Sequence, residues 1–252
     1  MNRKYGFITA IAIIAVVGLA VAPFLASSLN LLQTAEAAPK NKIEGTEGGD
    51  FIVGTPGDDK IDSKGGGDLN FGDAIVGDGS GNDKINSGDG GDINFGDTNI
   101  GDGSGNDKIN SGDGGDINFG DTGIGDGSGN DKINSGDGND INSGDTSIGD
   151  GSGNDKINSG DGNDINSGDS FSGDGSGNDK IKSGKGNDIN IGDTSTGIVG
   201  SGDDKINAGQ GDDILLGNGG ADKFQCGSGD DTVFGFNEAE GDKATGNCEN
   251  FL

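Results

Sequence analysis

Beyond residue 44 one apolar position recurs at fixed intervals. Ile52 and Ile61 are nine residues apart. Ile85, Ile109, Ile133, Ile157 and Ile181 then recur every 24 residues, and Ile206, Leu215, Phe224 and Val233 return to a spacing of nine. Each follows a run of Gly, Asp, Asn and Ser. Such a run forms neither helix nor strand well, and its glycines supply the positive φ that tight turns require. Three extended residues come next, such as Lys84-Ile85-Asn86. The two-residue period of a strand turns the aliphatic side chain inward and its neighbours outward, so Lys60, Lys84, Lys108, Lys132, Lys156, Lys180 and Lys205 face solvent. A unit of this size repeated in phase predicts a solenoid, each repeat forming one coil stacked on the last.

The 24-residue unit divides into nine, nine and six. In residues 78–86 the sixth position is Asp83 and the eighth Ile85; in 87–95 the sixth is Asp92 but the eighth is Asn94. The strand phase of this second nonapeptide is open. Ile93 and Phe95 face inward with Asn94 outward, or Asn94, Asn118, Asn142, Asn166 and Asn190 form an inner hydrogen-bonded ladder. The remaining six residues add an apolar position (Ile100, Ile124, Ile148) and an acidic one (Asp97, Asp121, Asp145, Asp169, Asp193). The expected fold is all-β: a parallel β-roll or β-helix solenoid of very short strands and thin apolar filling, with about 24 residues per coil in the centre and a coil wide enough for three sides.

The N-terminus breaks this pattern. Arg3 and Lys4 precede an almost wholly apolar run from Phe7 to Leu25, and Ala35-Glu36-Ala37 offers the small residues of a cleavage site. Residues 1–37 therefore read as a secretory signal peptide; the run is also long enough to span a bilayer as an uncleaved anchor, the one case in which a membrane is a partner. Both put the repeats outside the cytoplasm, secreted or on the cell surface. Residues 38–44 are a polar lead-in, 45–234 the repeat solenoid and 235–252 a C-terminal cap. In the cap, Phe234, Phe236, Phe251 and Leu252 are expected to cover the last coil, as solenoid ends require. Cys226 and Cys248, the only cysteines of an exported chain, are expected to pin the tail as a disulfide; the alternative is two free thiols.

Composition sharpens the picture. The chain has 57 Gly, no Trp and 28% hydrophobic residues, too few for a conventional globular core. Its 44 acidic and 16 basic residues give a net charge of -28. Loss of residues 1–37 removes Arg3, Lys4 and Glu36, leaving 43 acidic and 14 basic residues and a charge of -29. Nucleic acid and anionic membrane surfaces are excluded as partners by this sign, and cations are favoured. A disordered acidic chain would share this composition, though not the phased repeat.

Residues 45–53, 54–62 and 217–225 follow the pattern G-x-x-G-x-D-x-U-x, U being a large apolar residue, and 199–207, 208–216 and 226–234 keep its Gly at position 4, Asp at position 6 and apolar residue at position 8. This resembles the hemolysin-type calcium-binding repeat of the RTX family, and 17 nonapeptides in phase carry its Gly and Asp. The resemblance implies that the position-6 Asp supplies a carboxylate and the flanking turn its carbonyls to a Ca2+ ion between adjacent coils. The implied ligands are Asp50, Asp59, Asp83, Asp107, Asp131, Asp155, Asp179, Asp204, Asp213, Asp222 and Asp231. Asp68, Asp92, Asp116, Asp140, Asp164 and Asp188 join them from the nonapeptides with Asn at position 8.

Elementary chemistry agrees. Stacked strands lie ~4.8 Å apart, where two carboxylates repel by roughly 3 kcal/mol at an effective dielectric near 20. Calcium takes six to eight such oxygens in pliable geometry, whereas magnesium demands a stricter octahedron. The absence of His and the distant Cys pair argue against zinc, copper and iron. A Ser-His-Asp triad is impossible, and a paired-carboxylate hydrolase would lack a cleft-forming domain, so the chain is read as no enzyme. The function expected is a secreted or surface calcium-binding protein that folds on the ion, with a structural or adhesive role. An alternative is an ice- or mineral-surface binder using Thr98, Thr122, Thr146 and Thr194 as a flat regular face. RTX proteins often carry a C-terminal export signal, and an N-terminal one here departs from that.

Overall fold

A computed structural model describes residues 30–34, 41–194 and 202–252. Most of the expected signal peptide lies outside these residues. Every regular element described is a strand, and the strands build two long parallel sheets of eleven and ten members. One sheet contains Lys84–Asn86, Lys108–Asn110 and Lys132–Asn134 and is called the isoleucine sheet; the other contains Ile93–Phe95, Ile117–Phe119 and Ile141–Ser143 and is called the asparagine sheet. Register follows the repeat: Lys84 pairs with Lys108, Ile85 with Ile109 and Asn94 with Asn118. The six-residue insert adds a third side. Thr122–Ile124 pairs with Thr146–Ile148, and single bridges join Val76 to Ile100 and Ile100 to Ile124. At both ends the coil shortens to 18 residues, with Lys42 opposite Lys60 and Lys205 opposite Lys223.

The isoleucine sheet behaves as its alternation demands. Ile61, Ile85, Ile109, Ile133, Ile157 and Ile181 are buried in one continuous column, and the lysines beside them are exposed. Each buried Ile contributes about 1.5–3 kcal/mol of transfer free energy. In the asparagine sheet the structure selects the inner ladder. Asn94 is fully buried; its Nδ2 donates to Asn118 Oδ1 at 2.9 Å and to Ser87 Oγ at 3.0 Å. The same pair of bonds recurs from Asn70 to Asn166. The ladder ends where the neighbouring coil offers Ile52 or Leu215 instead, leaving Asn70 Oδ1 and Asn190 Nδ2 unpartnered. Ile93 is half-buried, and Phe95 is buried although it stands next to the inward Asn. Phe95 lies where the strand meets the insert, stacked between Phe71 and Phe119 with ring centroids 5.0 and 5.2 Å away.

Among the described residues, two strands lie N-terminal to residue 45. Residues 41–44, read as lead-in, form a strand of the isoleucine sheet that places Ile43 in the core, because Ile43 falls in phase with Ile61. Asn30–Thr34, within the expected signal peptide, pairs with Asp50–Val53. At the other end the tail continues the coil: Lys243–Thr245 and Asn250–Phe251 extend the two sheets. Covering falls to Phe236, packed with Ala244 and Cys248 against Ile206, Leu215 and Phe224. Phe234, Phe251 and Leu252 remain exposed; strand alternation spends the inward position on Val233. Cys226 and Cys248 form the expected disulfide.

Candidate metal centre

The position-6 aspartates form two rows, one ahead of each long sheet. Asp59, Asp83, Asp107, Asp131, Asp155, Asp179, Asp204 and Asp222 precede strands of the isoleucine sheet. Asp50, Asp68, Asp92, Asp116, Asp140, Asp164, Asp188, Asp213 and Asp231 precede strands of the asparagine sheet. All 17 are buried. A turn residue sits inside the molecule because the backbone claims one of its oxygens: Asp83 N–H donates to Asp107 Oδ1 at 2.7 Å, and Asp92 N–H to Asp116 Oδ1 at 2.8 Å, coil after coil. The second oxygen tells a different story. At the N-terminal coils Asp50 and Asp59 accept hydrogen bonds from the backbone N–H groups of Thr46 and Thr55 at 2.5 Å. In the 15 other aspartates Oδ2 is buried with no hydrogen-bond donor. Buried polar atoms are almost always paired, and an ionised one left alone costs several kcal/mol. The ion pairs Lys42–Glu44 and Lys185–Asp161 lie at the surface and involve none of these carboxylates.

A further row comes from the insert. Asp73, Asp97, Asp121, Asp145, Asp169 and Asp193 are as buried as the motif residues. Each stands between two successive aspartates of the isoleucine row. Asp83, Asp97 and Asp107 offer oxygens that all lie within 4.8 Å of one another, as do Asp107, Asp121 and Asp131, then Asp131, Asp145 and Asp155. Asp97 Oδ1 and both oxygens of Asp145 and Asp193 have no hydrogen-bond partner. These acids lie outside the ligand set that the repeat motif implies, and Asp73 is not among the recurrent acids singled out in the sequence. Their one signal was a Gly-Asp step at the same point of every unit, outside the motif. The wall around them admits no side chain: a Cβ on Gly96 would lie 1.5 Å from the Gly120 carbonyl oxygen and 2.3 Å from Asp107 Oδ2.

The electrostatic consequence is large. Burial first, then the neighbouring carboxylates of Asp73, Asp97 and Asp59, push Asp83 up to about 9. Burial, with Asp73 beside it, takes Asp97 up to about 8. Burial, then Asp204 and Asp169, takes Asp193 to about 10, and Asp107, Asp131 and Asp145 stand well above the ordinary carboxylate range for the same two reasons. The asparagine row is milder: burial raises Asp116, Asp140 and Asp188 to about 7, and Asp92 and Asp213 to about 6. Without a cation these groups must be protonated or expelled from the interior. Oxygen-only donors, flexible glycine turns and multiple carboxylates fit a hard divalent ion of calcium's size.

The insert also buries Thr98, Thr122, Thr146 and Thr194. Thr122 Oγ1 and Thr146 Oγ1 donate to the carbonyls of Gly101 and Gly125 at 3.0 Å, so these threonines fill a corner of the coil and present no outer face.

A parallel β-solenoid whose turns stack carboxylates in rows defines a cation-binding repeat protein. The family model of the RTX calcium-binding nonapeptide repeat (4 copies) matches residues 40–69, 126–146, 141–172, 174–194 and 198–233, more than half of the chain. The chain belongs to this family, and its fold is a structural calcium-binding type. No curated protein and no solved structure matches it.

Proposed function

We propose that this is an exported calcium-binding protein without catalysis, which folds when Ca2+ enters between its stacked turns and serves a structural or adhesive role outside the cell. The ions are assigned to the position-6 aspartates of both rows, from Asp50 to Asp231. The observation that carries the reading is the repeated, buried and donorless Oδ2. A protein that evolved to be metal-free would pair these atoms, as Thr46 and Thr55 do at the first coils. The Cys226–Cys248 disulfide supports an oxidising compartment. Because an unfolded chain holds no preformed site, ion-binding energy becomes folding energy. Extracellular sites of this type work at about 10⁻⁴–10⁻³ M. The surface-binding reading loses its support, because the threonine array it needs is buried.

The test is circular dichroism of the chain from residue 38 in chelator, then with added calcium, with magnesium as control. A calcium-specific gain of β signal is expected. An equally ordered chain in chelator at neutral pH overturns the reading.

A further inference from the structure

The six-residue insert matches no part of the nonapeptide motif, yet it delivers one buried carboxylate per coil to a fixed interior place. We propose that the trios typified by Asp83, Asp97 and Asp107 are a second kind of site, holding a single file of divalent cations, one per 24-residue coil, inside the solenoid. This rests on the calcium reading above and adds the ligand that the motif does not contain.

Three observations carry it. The oxygens converge: each trio's ligand atoms lie within 4.8 Å of one another. They are also unpartnered and buried. Asp145 and Asp193 are 0% exposed with no donor on either oxygen, and Asp83, Asp107 and Asp131 leave Oδ2 bare. Finally, the charges balance. Along this corner each coil contributes one motif aspartate and one insert aspartate, two negative charges per coil. Asp107 belongs to two successive trios, and so does Asp131, so each motif carboxylate is shared by the ions above and below it. One divalent ion per coil therefore leaves the column neutral. A monovalent ion would leave one negative charge per coil in the interior, and a trivalent ion one positive charge. The asparagine row, with a single buried carboxylate per coil, has no such balance, so the two corners hold ions of different exposure and affinity.

The deciding perturbation is Asp121→Asn, which keeps the side-chain volume and removes one charge. If no ion sits in the trio, the change relieves a buried, repelled carboxylate, and the variant must be more stable than the parent both in calcium and in chelator. If an ion sits there, the variant gains stability in chelator but loses it in calcium, and native mass spectrometry counts one calcium fewer per chain. Asp116→Asn in the asparagine row serves as the comparison. A variant with the parental calcium count and higher stability in calcium overturns the inference while leaving the calcium reading standing. A parent chain that binds no calcium overturns both. Should Asp121→Asn fail to fold in calcium while Asp116→Asn folds, the insert carboxylate is the one the ion needs, and the inference holds.

Discussion

Protons should replace calcium. In chelator at neutral pH the buried carboxylates hold the coil open, and acid should close it with no metal present. The asparagine row gives the clearest magnitudes. Burial raises Asp116, Asp140 and Asp188 from 3.8, the value expected of an unfolded chain, to about 7. A folded value above the unfolded one means that the group's stabilising contribution is complete below 3.8 and is lost as pH rises through about 7. The gap is roughly three pH units, worth about 4 kcal/mol per group. Three such groups together reach on the order of 12 kcal/mol, comparable to the whole net stability of a typical domain. Along the other corner the loss continues upward, since Asp83 stands at about 9 and Asp97 at about 8. The assay is far-UV circular dichroism in chelator over a range of about pH 3 to 9, checked by small-angle scattering for compaction. Each such group adds about 1.4 kcal/mol of stability per pH unit as pH falls from about 7 to 3.8, so the expected transition from coil to solenoid on acidification lies inside that window. A β signal in chelator that does not rise between about pH 7 and 3.8, or none at any pH, refutes the reasoning. With saturating calcium the ions stand in for the protons, and the β signal should persist through about pH 9.

Three further outcomes follow from packing. Asn118→Ala strips the acceptor of Asn94 Nδ2 and the donor to Asn142 Oδ1, and should cost about 2–4 kcal/mol in urea unfolding of the calcium form. Gly96→Ala sets a Cβ 1.5 Å from the Gly120 carbonyl oxygen and must force two coils apart, raising the calcium needed for half-maximal folding by at least about tenfold, the equivalent of about 1.4 kcal/mol. Reducing Cys226–Cys248, a bridge between residues 22 apart in sequence, should cost about 3 kcal/mol and release the pairing of Lys243–Thr245 and Asn250–Phe251, read as faster hydrogen exchange there and unchanged exchange in the central coils.

Much of the coil is legible in the chain because its signals are strictly periodic. The column from Ile85 to Ile181 and the outward lysines follow from alternation alone, and the two rows of motif aspartates from their place in the turn. Alternation fails at Ile93-Asn94-Phe95, where hydrophobicity argues for turning Asn out. The deciding term is a bond along the stacking axis: an amide both donates and accepts, and a copy one coil away is at hydrogen-bond distance, so asparagine can be satisfied inside. Phe95 is then buried by the third side, whose path a linear pattern does not give. Asp97 and Thr98 were visible as recurrent residues, but recurrence says nothing of direction. Their inward aim depends on where the six-residue insert turns.

The ends and the middle of this solenoid are held by different forces. The terminal coils keep 18 residues and fill their interior with Ile43, Ile52 and Ile61 at one end and Ile206, Leu215, Phe224 and Val233 at the other. At the first end the carboxylates of Asp50 and Asp59 already have protein donors, and at the second a disulfide fastens the tail. Between them the coil widens to 24 residues, the Asn ladder replaces one apolar column, and buried carboxylates go unpaired at two corners. In a stack where each coil contacts only its neighbours, folding starts at whichever coils close most easily and spreads by nearest-neighbour gain. The apolar ends close most easily and offer edges, although Asp204, Asp213, Asp222 and Asp231 at the second end still bury oxygens without a donor. The central coils can add to those edges only as each receives its cations. The insert thus concentrates the dependence on calcium in the middle of the molecule, where it adds a second buried carboxylate to each coil, and partial loss of ions opens the stack there first.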